Sequence, residues 1–554
     1  MRCLPLWVML CATALVPLTA SADEIDPLFK AYSPETPGCA VGVARPGQPA
    51  ILRGYGTADL EHGVRITPDT IFEAGSISKQ FTATAVLMLA EDGKLALTDD
   101  IRKYLPEMPD YGTPITINHL LSHTSGLRDW GHVAALGGWP RTAIVRNNLD
   151  VLHIVARQRA LNYAPGSAYS YTNTGFNLAA IIAERVSGKS LPAFTRERIF
   201  TPLGMRKSSW RDDFRRVVQD RAIAYTGKDD DRDDPYSAAQ TAEDSGAFRQ
   251  DMPFEDNYGH GGLLTTVGDL LTWDAALTAR KLGAFVTDHL EEQAVLTGGR
   301  KIAYARGLVR GNYNGSPEIS HGGATSSYRA WTGRYPSLGV AVAVLCNVAS
   351  ANATRLGRDA VAQVMNLKQP PPVKSSTPSA GELAQLPGLY IDERTGGAVR
   401  IVARDGALKL TGAAPGTEKV TALPRLGDRR YRNGVAELIF TDSGAENRSA
   451  DGEVTSYRKI EAYTPTAKEL ESLVGRYSSA EANGVFAFSV KDGRPRLTPV
   501  DRPSAPVILT PLGRDIYLYG EGLTKVVRSR ENKVEGLRFI GARVYSLVFS
   551  RAPD

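Results

Sequence analysis

The 554-residue chain is poor in cysteine, with four in all, and after its N-terminal segment has no apolar run long enough to cross a bilayer. So few cysteines cannot staple a chain of this length, which excludes a disulfide-scaffold protein. It also lacks strong charge: 65 Lys and Arg stand against 60 Asp and Glu. The excess of +5 falls within residues 371–554, which hold 27 basic and 22 acidic residues. That surplus is too small and too interspersed for a nucleic-acid surface, and no such partner is expected. No Gly-rich loop with a following Lys-Ser or Lys-Thr is present to cradle phosphates. What is present, 42% hydrophobic residues with 53 Gly and 33 Pro, excludes disordered and collagen-like chains. At roughly 100–200 residues per domain, the length implies several domains.

The first 22 residues read as a secretory signal peptide. Arg2 is a short basic start, Cys3 to Ala20 is apolar and uncharged, and Ala20-Ser21-Ala22 offers small residues for cleavage. Pro17 interrupts the run, which argues against a spanning helix. Met9-Leu10 before Cys11 are not the small residues of a lipidation site. Cleavage removes Cys3 and Cys11 and delivers the chain to the periplasm or medium. Cys39 and Cys346 then remain, each in a strand-like run, free to pair only if those strands are neighbours.

Residues 23–369 alternate strand-like and helix-like runs and read as one catalytic-sized domain. Residues 370–379 are a Pro- and Ser-rich linker. Beyond it, short alternating apolar runs suggest antiparallel β structure, and the sequence repeats. Ala380 to Tyr390 matches Ala467 to Tyr477 at an offset of 87, and Asp405-Gly406 and Leu410-Thr411 recur as Asp492-Gly493 and Leu497-Thr498. Two copies of a barrel-like β domain are expected, at 380–466 and 467–554, since closure hides strand edges.

Three short patterns could carry chemistry. Ser76-Ile77-Ser78-Lys79 opens a helix-like run, so the Lys79 amine can stand beside the Ser76 hydroxyl. A serine needs such a base to be a nucleophile, and a helix N-terminus favours developing negative charge. Tyr171-Thr172-Asn173 lies in a loop rich in Gly, Ser and Asn. A tyrosine whose pKa is lowered by a nearby lysine can act as base, and asparagine can bind an amide. His321-Gly322-Gly323, before Ala324, places glycines where a substrate backbone can approach a strand. Each pattern has a second copy, Ser456 with Lys459, Tyr431 with Asn433, and His260-Gly261-Gly262. The first two copies fall in the β repeat, and the third reads as a turn entering a helix.

The ordered set Ser76, Tyr171, His321, all before the linker, resembles the penicillin-recognising serine hydrolases: class C β-lactamases, D,D-peptidases, esterases and D-aminopeptidases. Leu120 to Leu127, Pro165-Gly166 and Gly261 to Thr266 are similar to further stretches of that family. The resemblance implies an α/β (α+β) β-lactamase-like catalytic domain with helices and an antiparallel sheet, followed here by two all-β, lipocalin-like domains. It implies Ser76 as acylated nucleophile, with Lys79 and Tyr171 sharing proton transfer and either one acting as base. Asn173, His321, Gly322 and Gly323 would bind substrate, and the backbone N–H groups of Ser76 and Ala324 would form the oxyanion hole.

His321 departs from the Lys-Thr-Gly of many members. Losing a fixed cation weakens the case for a β-lactamase or D,D-carboxypeptidase and favours uncharged amides, esters or substrates held at a free amine. With two β domains, the pattern looks like the D-aminopeptidases, in which a barrel loop reaches the active site.

His119 and His123 sit at i and i+4, as zinc ligands can, but the Glu of His-Glu-x-x-His is missing. Helix packing and capping explain them, so no metal is expected. The acidic run Asp229 to Asp234 reads as a solvated loop. The expected protein is thus an exported serine hydrolase with no cofactor and a small-molecule or short-peptide substrate, cell-wall peptides included. A β-lactamase or D,D-carboxypeptidase activity is the alternative within the same class, and a non-catalytic receptor for cell-wall peptides is the rival from another.

Overall fold

The computed structural model describes residues 24–552 apart from 142, 228–246, 369–373, 415, 418–419, 450–451 and 521. The segment read as a signal peptide, the acidic run Asp229 to Asp234 and part of the linker lie outside the described residues.

The catalytic domain is built on a six-stranded antiparallel sheet. Its strands are β1 (Cys39–Arg45), β2 (Gln48–Tyr55), β3 (Val309–Tyr313), β4 (Ser316–Thr325), β5 (Tyr328–Tyr335) and β6 (Val340–Cys346), in the order β3-β4-β5-β6-β1-β2. Residues from both ends of the domain meet where β1 pairs β6. There Cys39 faces Cys346 in register, and the two form a disulfide with a Cα–Cα distance of 4.0 Å.

Alternation along β6 divides the core. Val342 and Val344 pack with Leu356, Ala360 and Val361 of the helix Ala353–Val364 on one face. Ala343 and Leu345 join Leu270 and Leu271 of the helix Val267–Thr278 on the other. In the middle of that second layer runs α1 (Ser78–Glu91), whose residues from Ser78 to Leu89 are all buried. A helix hydrophobic or small all round belongs inside a core, so α1 is the fixed post of the domain. The helix α2 (Thr174–Ser187) crosses close to the backbone at Leu120, because Gly175 has no side chain to collide there.

The C-terminal region forms two nine-stranded sheets, Gly388–Ile460 and Gly475–Arg551, with one topology. In each, consecutive strands pair as a meander, the first strand pairs the last, and only the fourth and fifth are unpaired. Local details recur at the offset of the repeat. Ser379 with Glu382 and Thr466 with Glu469 each form a reciprocal cap on the helix entering a barrel. Tyr390 and Tyr477 each donate to the carbonyl four residues earlier, at 2.7 Å in both cases. Asp405 and Asp492 each take a positive φ in equivalent turns.

Candidate active site

Ser76 occupies a tight 3-10 turn, Gly75–Ile77, that leads directly into α1. The turn is pinned by Ser78, whose hydroxyl donates to Gly75 O at 2.6 Å and accepts from Leu263 N at 3.0 Å. Gly75 adopts φ +52° and lies against β4, where a Cβ atom would stand 2.7 Å from Ala324 N. Gly323 is equally constrained, since its Cβ would lie 2.0 Å from Ala74 O. These two glycines let the edge of β4 approach the nucleophile turn.

Lys79 lies one turn after Ser76, at the start of α1, and is fully buried. Its amine donates to Ser76 Oγ at 3.0 Å, Asn173 Oδ1 at 3.0 Å and His260 O at 2.7 Å. Burial holds this amine well below the ordinary lysine range, the cations Arg543 and Arg141 lower it further, and Asp129 opposes them. Tyr171 hydrogen-bonds Ser76 from the other side, and its ring lies 4.8 Å from the Lys79 amine. The tyrosine reading needs correction here. Burial raises the Tyr171 phenol above its usual value, and this outweighs the lowering by Ser76 and Arg543, so the phenol keeps its proton at neutral pH. Burial thus pushes the Lys79 amine toward its neutral form.

His321 is buried on β4, and burial above all pushes its imidazole down to about 4. The neutral ring donates from Nδ1 to Gly322 O at 2.6 Å, which leaves Nε2 to accept from the Tyr304 hydroxyl at 3.1 Å. Ser76, Tyr171, His321, Gly322, Gly323 and Ala324 line one cleft of about 550 Å³, which continues past Arg329 to Ser350 and Thr354. Among the described residues no carboxylate lines it.

Several residues of the site were given no part in it from the sequence. His260, set aside as a turn before a helix, contributes the carbonyl that grips Lys79; the segment first forms the short strand Leu263–Thr265 and only then the helix. Asp129 is the hub beneath Tyr171. Its Oδ2 accepts from Asn173 N at 2.8 Å and Thr172 Oγ1 at 3.2 Å, while Oδ1 accepts from Gly131 N, His132 N and His132 Nδ1. His123 is not on a helix with His119. It follows Ile117–Leu121 with φ 59°, accepts from Thr172 N at 3.3 Å and packs 4.2 Å from the Tyr171 ring. His119 instead completes the cap of its own helix with Thr116. Both histidines therefore serve backbone and packing.

The second barrel reaches this site. Strands Val534–Gly541 and Val544–Arg551 join through the two residues Ala542 and Arg543. Arg543 O accepts from Asp129 N at 3.2 Å and from Asn162 Nδ2 at 3.0 Å, and its guanidinium lies 5.2 Å from the Tyr171 ring centre. Arg128, next to Asp129, donates to Glu481 at 2.7 Å and to Ser546 O, which anchors the same barrel.

The Beta-lactamase family model matches residues 25–365. The chain belongs to the beta-lactamase family. It is 29% identical over 378 residues to a D-aminopeptidase of Gluconobacter oxydans, covering 68% of this chain and 66% of that protein. It is 26% identical over 479 residues to a D-aminopeptidase of Cereibacter sphaeroides, covering 86% and 85%. Among solved structures, this beta-lactamase-family chain shares the fold of a penicillin-binding protein homologue from Pyrococcus abyssi, described as octameric, with TM-score 0.53, 23% identity and coverage of 77% and 96%. It likewise shares the fold of the D-amino acid amidase of Ochrobactrum anthropi, with TM-score 0.53, 21% identity and coverage of 62% and 98%. The protein is thus a β-lactamase-related serine hydrolase with two appended barrels.

Proposed function

We propose that the chain is an exported hydrolase that cleaves amide or ester bonds of small D-amino-acid amides, peptides or esters through an acyl-enzyme on Ser76. The observation that carries this is the buried Lys79 amine, 3.0 Å from Ser76 Oγ and held well below the usual lysine range. In its neutral form the amine takes the hydroxyl proton as Oγ attacks the carbonyl carbon. The N–H groups of Ser76 and Ala324 receive the charge that forms on the carbonyl oxygen. The protonated Tyr171, bonded to Ser76, is placed to pass a proton to the leaving nitrogen or oxygen, with Lys79 recharging it. Water then releases the acid, and no cofactor takes part.

Asn173 keeps its Oδ1 on Lys79, so its amide N–H₂ group is what it offers a substrate carbonyl. The neutral His321 shapes the strand edge without supplying a cation, which supports amide and ester substrates over β-lactams. The similarity to D-aminopeptidases supports the D-configured substrate class. The disulfide Cys39–Cys346 supports an oxidising compartment, periplasmic or extracellular, and no helix among the described residues is long and apolar enough to cross a membrane.

A fluorophosphonate probe should label the protein at Ser76 and fail to label Ser76→Ala. Absence of a Ser76-dependent adduct would favour a non-catalytic peptide receptor instead. Among substrates, D-alanine p-nitroanilide or a short p-nitrophenyl ester should turn over faster than nitrocefin. Rapid nitrocefin hydrolysis would refute the argument from His321.

A further inference from the structure

The second barrel and the catalytic domain meet closely through glycines. A Cβ atom at Gly137 would stand 2.4 Å from Ala482 O, and one at Gly484 would stand 2.7 Å from Gly137 O. Beside this contact lies a cavity of about 400 Å³, a volume typical of small-molecule sites. Ala482 and Asn483 of the barrel line it together with residues of the catalytic domain. It shares no lining residue with the cleft at Ser76. Trp139, Ile144, Val145 and Ile154 give it an apolar wall, and Ile144 is left 40% exposed there. Covering such aliphatic surface in a concave site is favourable.

Four charged or titratable residues also line the cavity: Arg146, Asp150, His153 and Arg157. Arg146 turns its guanidinium onto backbone carbonyls, Trp139 O at 2.8 Å and Pro140 O at 3.3 Å. Asp150 caps its own helix, Asn148–Ala156, by accepting from Asn147 N at 2.9 Å. It stands two turns, about 10 Å, before Arg157. His153 is exposed. Arg157, at the end of the helix, makes no hydrogen bond or ion pair among the described residues, and its Nε is buried without an acceptor. Burial lowers this guanidinium, and no carboxylate opposes the effect. Glu481, the acid beside Ala482, is committed to Arg128 Nη1 at 2.7 Å and Arg159 N at 2.6 Å. The cavity thus pairs an apolar wall with a cation whose donors await an acceptor. One guanidinium fork matches the two oxygens of a carboxylate. A phosphate dianion would call for a second free cation, and Arg146 is already occupied.

We propose that this interdomain cavity is an accessory site for a small monocarboxylate with an aromatic or aliphatic tail. The carboxylate sits on Arg157 and the tail covers Trp139 and Ile144. Because both domains line the site, its ligand binds only the docked barrel and so favours docking.

The test uses the full-length protein carrying Ser76→Ala, so the result does not depend on the hydrolase reading. The probes are 4-phenylbutyrate, indole-3-propionate and octanoate, each matched to its carboxamide, with acetate as the acid lacking a tail. Calorimetry gives the affinities, and Trp139 fluorescence locates the phenylbutyrate site. Of the described tryptophans, Trp130, Trp210, Trp273 and Trp331 are no more than 2% exposed, while Trp139 is half-buried. A charge-assisted contact predicts that at least one acid binds roughly ten- to a hundred-fold tighter than its carboxamide, and tighter than acetate. In Arg157→Gln that ratio should collapse to about one, in Arg157→Lys it should be intermediate, and in His153→Gln it should persist. The fluorescence change should vanish in Trp139→Phe. Arg157 has no partner to lose, so Arg157→Gln should keep the wild-type unfolding profile. The proposal is overturned if no acid outbinds its carboxamide, if the preference survives Arg157→Gln, or if His153→Gln abolishes it instead.

Discussion

Gly75→Ala isolates how close β4 must come to the nucleophile turn. The substitution has two costs that can be separated. An alanine at φ +52° pays the left-handed penalty, about 1–2 kcal/mol. Its Cβ would also stand 2.7 Å from Ala324 N, 3.1 Å from Ala324 C and 3.2 Å from Ala324 O, all backbone atoms. Ordinary contact begins near 3.5 Å, so β4 must withdraw by about 0.5–1 Å. That displacement moves the Ala324 N–H away from the site of developing charge. Loss of one such donor lowers kcat by roughly 10²–10³. Gly93→Ala is the matched control: its φ is +69°, and nothing lies within 4 Å of the added Cβ. Gly93→Ala should lose only the left-handed penalty in denaturant titrations and Gly75→Ala more than that, by the cost of the clash, while only Gly75→Ala should lose the acylation burst on a p-nitrophenyl ester. If Gly75→Ala acylates within about three-fold of Gly93→Ala, the Ala324 amide does not stabilise the transition state and the geometric reasoning fails.

Two further outcomes follow from the charges around Ser76. On the proposed role of Lys79 as a neutral amine, held below its usual range, kcat/KM should rise with pH through an inflection well below that of a free lysine. Lys79→Arg, which cannot shed its proton, should remove both the inflection and most of the rate, and an inflection surviving in that variant would exclude Lys79 as base. In Asp129→Asn, an amide N–H₂ group placed toward Thr172 Oγ1 and Asn173 N confronts donors with a donor. Orphaning them costs about 2–4 kcal/mol of stability, seen by chemical denaturation, and kcat should fall at least ten-fold as Asn173 loses its hold on Lys79. Reduced stability with wild-type kcat would limit Asp129 to helix capping.

The parts of this protein that were legible in its sequence are those encoded by spacing along one segment. Ser76 and Lys79 share a helix face three residues apart, and the two barrels repeat the same caps and turns at one offset. What escaped notice depends on contacts between distant segments. The grip of His260 on Lys79 is made by a backbone carbonyl, which carries no signature of its side chain. Asp129 and Arg543 meet across 414 residues of chain. Burial, too, is a property of the assembled fold: a tyrosine beside a lysine suggested a lowered pKa, but full enclosure of Tyr171 reverses the sign.

The bond between Cys39 and Cys346 makes the catalytic domain a covalent circle, because it joins residues 307 positions apart. Ser76, Lys79, Tyr171, His260 and His321 all lie on that circle, and both barrels hang outside it. Closing so long a loop restricts the unfolded chain by about 6 kcal/mol in the simple entropic picture. It also makes proteolysis asymmetric. One cut anywhere on the circle leaves its two arms tethered, so a nicked catalytic domain can hold its nucleophile and its strand edge together. One cut between Cys346 and the barrels leaves them held only by contacts such as Arg128 with Glu481 and Asp129 N with Arg543 O. Under proteolysis, the residues around Ser76 are thus the part held by a covalent tether, and the barrels the part held by contacts alone.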